Sequence, residues 1–162
     1  MGNERGFISV VGIMTFVIIS FAIMGVSEMA EMQARIAHYF RMETKLQNAA
    51  EYAFYNSIKK LPKDSLNYGN YKLVDSGTVD SNIKYEVYLK YLYDKSTKDY
   101  KFAELVAVAI SEQNNFNNGK IFRSVFGLLK AVHPRLDDDT ADKTKVDHYE
   151  LQGIIDTQNA VD

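Results

Sequence analysis

Residues 7–27 read FISVVGIMTFVIISFAIMGVS, twenty-one consecutive positions without a charge. As a helix rising about 1.5 Å per residue, this run reaches roughly 31 Å, the thickness of a bilayer's hydrocarbon core. A helix that is apolar on every side needs an apolar medium all round, and the remainder of a 162-residue chain is too small to enclose it. The pattern therefore predicts a membrane-spanning helix. Past Ser27 the polarity changes but the period does not. Met29, Met32, Ile36, Tyr39, Met42, Leu46, Ala49 and Ala53 follow three- and four-residue steps, and Ala50, Phe54, Ile58 and Leu61 widen the stripe. Glu31, Arg35, Arg41, Lys45, Glu51 and Lys59 fall opposite, as a solvated face of mixed sign. The helix is expected to run to Lys60, because Pro62 pushes Leu61 out of the helical region.

Alternation of period two takes over further along. In NIKYEVYLKYLYD, residues 82–94, Ile83, Tyr85, Val87, Leu89, Tyr91 and Tyr93 share one face, while Lys84, Glu86, Tyr88 and Lys90 share the other. Residues 100–112 and 119–132 read as further strands, joined to it by DKSTKD and NNFNNG at hairpin length. A shorter strand, residues 70–75, precedes them across Ser76-Gly77. The expected architecture is α+β: a long N-terminal helix whose second half packs on an antiparallel sheet of about four strands. Residues 134–162 read as an acidic C-terminal tail with a short strand near residues 148–155.

The start of the apolar run separates two kinds of leader. A conventional secretory signal has a shorter apolar stretch and a small-residue cleavage site beyond it. Here the run continues into VSEMAEMQARI without a break, and the small residue, Gly6, lies before it. A short polar leader MGNERG, then Phe7, then about twenty apolar residues and an amphipathic helix, resembles the class III signal of type IV pilins and type II secretion pseudopilins. The resemblance covers residues 1 to about 60. It implies cleavage after Gly6 by a prepilin peptidase, methylation of Phe7, and retention of residues 7–27 as both anchor and assembly element. Most members carry a Glu at the fifth position after the cut, where this chain has Val11. Loss of that Glu is similar to the K-type minor pseudopilins and the PilX-type minor pilins.

Composition changes the picture little. The formal net charge is −2, and the acidity is concentrated in residues 134–162, which hold eight acids against three bases. No basic field of the kind a dedicated nucleic-acid binder needs is present, so no direct nucleic-acid contact is predicted. The interleaved Lys and Tyr of residues 84–95 place three of their four tyrosines on the apolar face, which reads as core rather than a base-stacking platform. With no Cys, thiolate metal sites and Cys nucleophiles are excluded. His38, His133 and His148 are scattered, and no nucleophile motif or phosphate loop occurs, so the chain reads as non-enzymatic with no cofactor. Asp137, Asp138, Asp139 and Asp142 are a weak calcium candidate, lacking the glycine and terminal Glu of a calcium loop, and otherwise a solvated acidic stretch.

These readings divide the chain into a leader (1–6), a transmembrane and assembly helix (7–27), an amphipathic continuation (28–61), a β-sheet region (62–133) and the tail (134–162). The resemblance implies a minor pilin or pseudopilin in the cytoplasmic membrane, with a single span, an extracytoplasmic C-terminal domain and, after assembly, a place at the filament tip. Implied partners are other pilin-like subunits through residues 7–60, the lipid bilayer, the prepilin peptidase and the assembly platform. The alternative is a single-pass anchored extracytoplasmic binding domain that never enters a filament.

Overall fold

A computed structural model describes residues 3–63, 70–94, 99–111, 121–134 and 145–157, with side chains for residues 9–63, 70–92, 102–111, 121–134 and 145–154. The chain divides into two units, Met1–Met42 and Glu43–Asp162. One helix, α1 (Asn3–Ile58), contributes to both.

In the first unit α1 has no cover. Every described residue from Ser9 to Arg41 is exposed except Ser20, which is half-buried. The two hydroxyls within the apolar run turn back onto their own helix. Thr15 Oγ1 donates to the Val11 carbonyl and Ser20 Oγ to the Phe16 carbonyl, each at 2.9 Å. Such i−4 bonds satisfy a polar group without a partner from outside the helix.

In the second unit α1 covers a five-stranded antiparallel sheet of order β1-β2-β3-β4-β5, formed by β1 (Lys72–Asp80), β2 (Ile83–Asp94), β3 (Asp99–Ser111), β4 (Phe122–Val132) and β5 (His148–Thr157). Alternation selects the buried face. Register rows Tyr85–Ala109–Arg123, Val87–Ala107–Val125, Leu89–Leu105–Gly127 and Tyr91–Ala103–Leu129 run across β2, β3 and β4. Those residues are buried against Leu46, Ala49, Ala50, Ala53 and Phe54 of α1. Small residues on β3 make room for the helix. The ring of Phe54 lies so close over Gly127 that a Cβ there would fall 2.2 Å from its Cζ. Phe54 is wholly buried, and burial of a side chain of that size contributes about 1.5–3 kcal/mol. A charged pair sits on the same buried face. Arg123, with 8% of its side chain exposed, donates to Glu43 of α1. Ser57 Oγ and Lys60 Nζ, at the end of the helix, both reach Asp75 Oδ2 of β1, at 3.2 and 3.3 Å.

The sheet departs from the expectation at both edges. β1 runs on through Gly77 to Asp80, whereas the sequence pattern stops the strand at Asp75 and places a turn at Ser76-Gly77. The reason is that Tyr85, opposite Gly77 in the register, covers the glycine: a Cβ there would lie 2.8 Å from the tyrosine oxygen. The region from residue 134 is no loose tail throughout, because β5 is ten residues long and pairs along β4. Its entry is pinned at several points. The Val146 amide donates to the Lys63 carbonyl at 3.0 Å, the Asp147 amide to the Val132 carbonyl at 2.8 Å, and Tyr149 Oη to the Pro62 carbonyl at 2.8 Å. Val146 is buried, and Tyr91 and Tyr149 share a hydroxyl–hydroxyl bond of 2.5 Å. The exit of α1 is thereby tied to the start of the last strand.

The helix itself ends at Ile58, two residues short of the expected Lys60. The Lys60 amide bonds the Ser57 carbonyl at 2.9 Å and closes a turn ahead of Pro62. Of the stripe predicted for the core, Met42, Leu46, Ala49, Ala50, Ala53, Phe54 and Leu61 are buried and Ile58 is half-buried. Met29, Met32, Ile36 and Tyr39, all in the first unit, are exposed.

Candidate functional site: the exposed apolar helix

The largest chemically distinctive surface is the first unit's helix. Val10, Val11, Ile13, Met14, Phe16, Val17, Ile18, Ile19, Phe21, Ile23, Met24 and Val26 are all exposed, Phe16 at 72% and Phe21 at 70%. Together they cover the whole circumference of α1. The most apolar eighteen-residue window has a mean hydropathy of 2.4 and none of it is buried. By length and composition this helix can cross a membrane. An exposed apolar patch of this extent on a water-soluble surface would promote association.

Beyond Ser27 the exposed apolar residues narrow to Met29, Met32, Ile36, Tyr39 and Phe40. Charges occupy the remaining face, including Glu31 and Arg35, paired at 2.5 Å one helical turn apart. That pair is more than half exposed and stabilises the helix only slightly. The apolarity thus changes from all-round to one-sided near Ser27.

Gly6 and Phe7 lie within the helical backbone of α1, and Val11 is 45% exposed, so a carboxylate at that position would stand on the helix surface rather than in a fold interior. His38 is exposed on the same helix. His133 Nδ1 lies 2.6 Å from the Lys145 carbonyl, where it helps to close the turn into β5. His148 Nδ1 lies 2.9 Å from Asp147 Oδ2 on the surface. The structure does not bring the three histidines together. Asp137, Asp138, Asp139 and Asp142 lie outside the described residues. Among the described residues no group of three or more His, Cys, Asp or Glu side chains is placed to hold a metal ion.

Sequence reasoning passed over the Glu43–Arg123 pair. Its signal was present: Arg123 occupies an inward position in the alternation Arg123, Val125, Gly127, Leu129, Ala131, and an inward charge demands a partner. Burial also shifts the two clustered tyrosines. Tyr149 is pushed well above the ordinary phenol range by burial first and by the Tyr91 hydroxyl second, and Tyr91 is raised by burial. Both act as neutral hydrogen-bonding groups that hold β5 to the exit of α1.

No protein-family model, curated protein or solved structure matches this chain.

Proposed function

We propose that this chain is a minor type IV pilin or pseudopilin: a non-enzymatic subunit held in the cytoplasmic membrane by residues 7–27 and passed into a filament with other pilin-like subunits. The observation that carries the reading is the helix. One continuous α1 is apolar on every side in its first half and becomes the cover of an antiparallel sheet in its second. An anchor alone requires only the first property. A helix that leaves the bilayer still helical, still bearing an uncovered apolar stripe at Met29, Met32, Ile36 and Tyr39, is suited to packing against parallel neighbours after extraction from lipid.

Val11 refines the proposal. In the family the fifth-position Glu is thought to neutralise the terminal ammonium of a neighbouring subunit, and opposite charges in an apolar bundle attract strongly while each alone is costly. With Val11, this chain offers no carboxylate to a subunit above it, yet its own Phe7 ammonium can receive the Glu of the next subunit below. It can start a filament and be extended, so it belongs at the tip and primes or caps the assembly.

The test is the N-terminus of the mature protein. The proposal expects methylated Phe7, and Gly6→Leu should leave a slower-migrating precursor. An intact Met1 contradicts processing by a prepilin peptidase and returns the chain to the anchored-domain alternative, and a cut beyond Ser27 contradicts it as well, by removing the anchor.

A further inference from the structure

Among the described residues three glycines occupy strand interiors, and their neighbours account for two. Tyr85 fills the space over Gly77, and Phe54 the space over Gly127. At Gly153 an added Cβ would meet nothing within 4 Å. A strand glycine marks a bulge or a place where something approaches the backbone closely. Gly153 follows the β5 bulge at Gln152, and the space over it is open to an approach from outside.

Gly153 borders a hollow of about 560 Å³ on the sheet, lined also by Glu104, Phe126, Gly127, Leu128, Gln152 and Ile154. Glu104, Leu128 and Gly153 stand in one register row across β3, β4 and β5, with Gln152 the extra residue of the β5 bulge beside them. Among the described residues the lining is apolar apart from the Gln152 amide and one charge, the Glu104 carboxylate. Glu104 Oε2 accepts the Tyr71 hydroxyl at 2.9 Å, and Lys90, opposite Glu104 in the register, lies over the Tyr71 ring at 5.1 Å. β5 is an edge of the sheet. The opposite edge, β1, breaks register twice, and its Asp75 and Asp80 are engaged by Lys60 and Lys45, which makes it the poorer template.

We propose that an extended segment of a partner protein adds to the open edge of β5 and lays an arginine side chain across Gly153 into this hollow, its guanidinium against Glu104. Addition to an edge supplies main-chain hydrogen bonds, and a side-chain hollow beside the edge supplies selectivity. The occupant's chemistry follows from the lining. An added strand would stand three interstrand spacings, about 14 Å, from β3, a gap closed only by a long side chain on each side. The absence of a Cβ at Gly153 leaves the path open. Charge complementarity requires a cation, and the apolar walls with the Phe126 ring favour the weakly hydrated, planar guanidinium over an ammonium. The proposal depends on the sheet alone and stands apart from the filament reading.

The test uses the full chain in detergent micelles and a fluorescein-labelled peptide of alternating valine and threonine with one central arginine, followed by fluorescence anisotropy. Binding is expected to be saturable and at least ten-fold tighter than for the same peptide with neutral citrulline in place of arginine. It should weaken at least ten-fold in Glu104→Gln and in Gly153→Phe, which fills the hollow from a position with open room, and stay unchanged in Lys45→Gln. Hydrogen exchange should slow in residues 150–154. Equal affinity for the citrulline peptide, wild-type affinity in either hollow variant, protection on residues 9–41 instead of β5, or no saturable binding would each overturn the proposal.

Discussion

The two halves of α1 are built from similar apolar side chains and have opposite fates. Phe16 and Phe21 in the first half are 72% and 70% exposed, whereas Phe54 in the second is wholly buried against Gly127. The difference lies in how far the apolar surface extends around the helix. A stripe one face wide can be covered by one sheet, and here it is. A surface apolar on all sides cannot be covered by one sheet, and among the described residues it is left exposed. The lesson is that the second half contributes to the chain's own core, whereas the first half leaves its apolar side chains exposed.

This contrast is most directly broken by matched truncations. Phe54→Ala should destabilise the sheet unit by about 3–5 kcal/mol, read from urea unfolding of the full chain in detergent. Phe16→Ala should change the same stability by less than about 0.5 kcal/mol, since Phe16 is 72% exposed. Equal losses at the two positions would erase the distinction.

The next effect in size concerns the charged pair under the helix. Glu43→Ala leaves Arg123 nearly buried without its carboxylate partner, and the expected cost is about 2–3 kcal/mol, below that of a fully buried pair because Glu43 is 27% exposed. The double variant Glu43→Ala/Arg123→Met should recover part of that loss, because an apolar side chain then occupies the inward position. Gly127→Ala sharpens the packing side of the comparison. Its Cβ would meet the Phe54 ring, so a cost of about 1–3 kcal/mol is expected, smaller in a Phe54→Leu background where the ring is absent.

Much of this was legible in the sequence. The twenty-one-residue apolar run, the stripe from Met42 to Phe54 and the alternation of Ile83 through Tyr91 all follow from period, and period reports which faces need cover. The edges were harder to read. β5 carries Tyr149, Leu151 and Ile154 among polar residues, a weak alternation interrupted by a bulge at Gln152. Its place depends on bonds to Pro62, Lys63 and Val132, which are remote in sequence. The hollow beside Gly153 was invisible for the same reason, since Glu104, Phe126 and Gly153 meet only through strand register. Conversely, Gly6, Phe7 and Val11 gain their proposed meaning from the order of residues along the chain, and the fold adds only that α1 includes them.

A smaller effect tests the clasp that ties the exit of α1 to β5. Burial holds the Tyr149 proton in the folded state at a pH where the unfolded chain releases it, near pH 10. The folded state then binds more protons than the unfolded one, so stability is fully present below about pH 10 and falls as pH rises beyond it. Urea midpoints at about pH 8.5 and about pH 10.5 should show this loss. Tyr149→Phe should lower the midpoint at the lower pH and lessen the difference between the two.

The measurement that bears most directly on the account is the location of the protein on filaments sheared from cells and labelled with antibody against the second unit. A tip subunit made from this helix should give signal at one end of each filament, with filament number falling when the protein is deleted. Signal along the whole length at major-subunit abundance would contradict the tip assignment drawn from Val11. Complete absence from filaments, with all protein remaining in the membrane, would contradict the filament reading altogether.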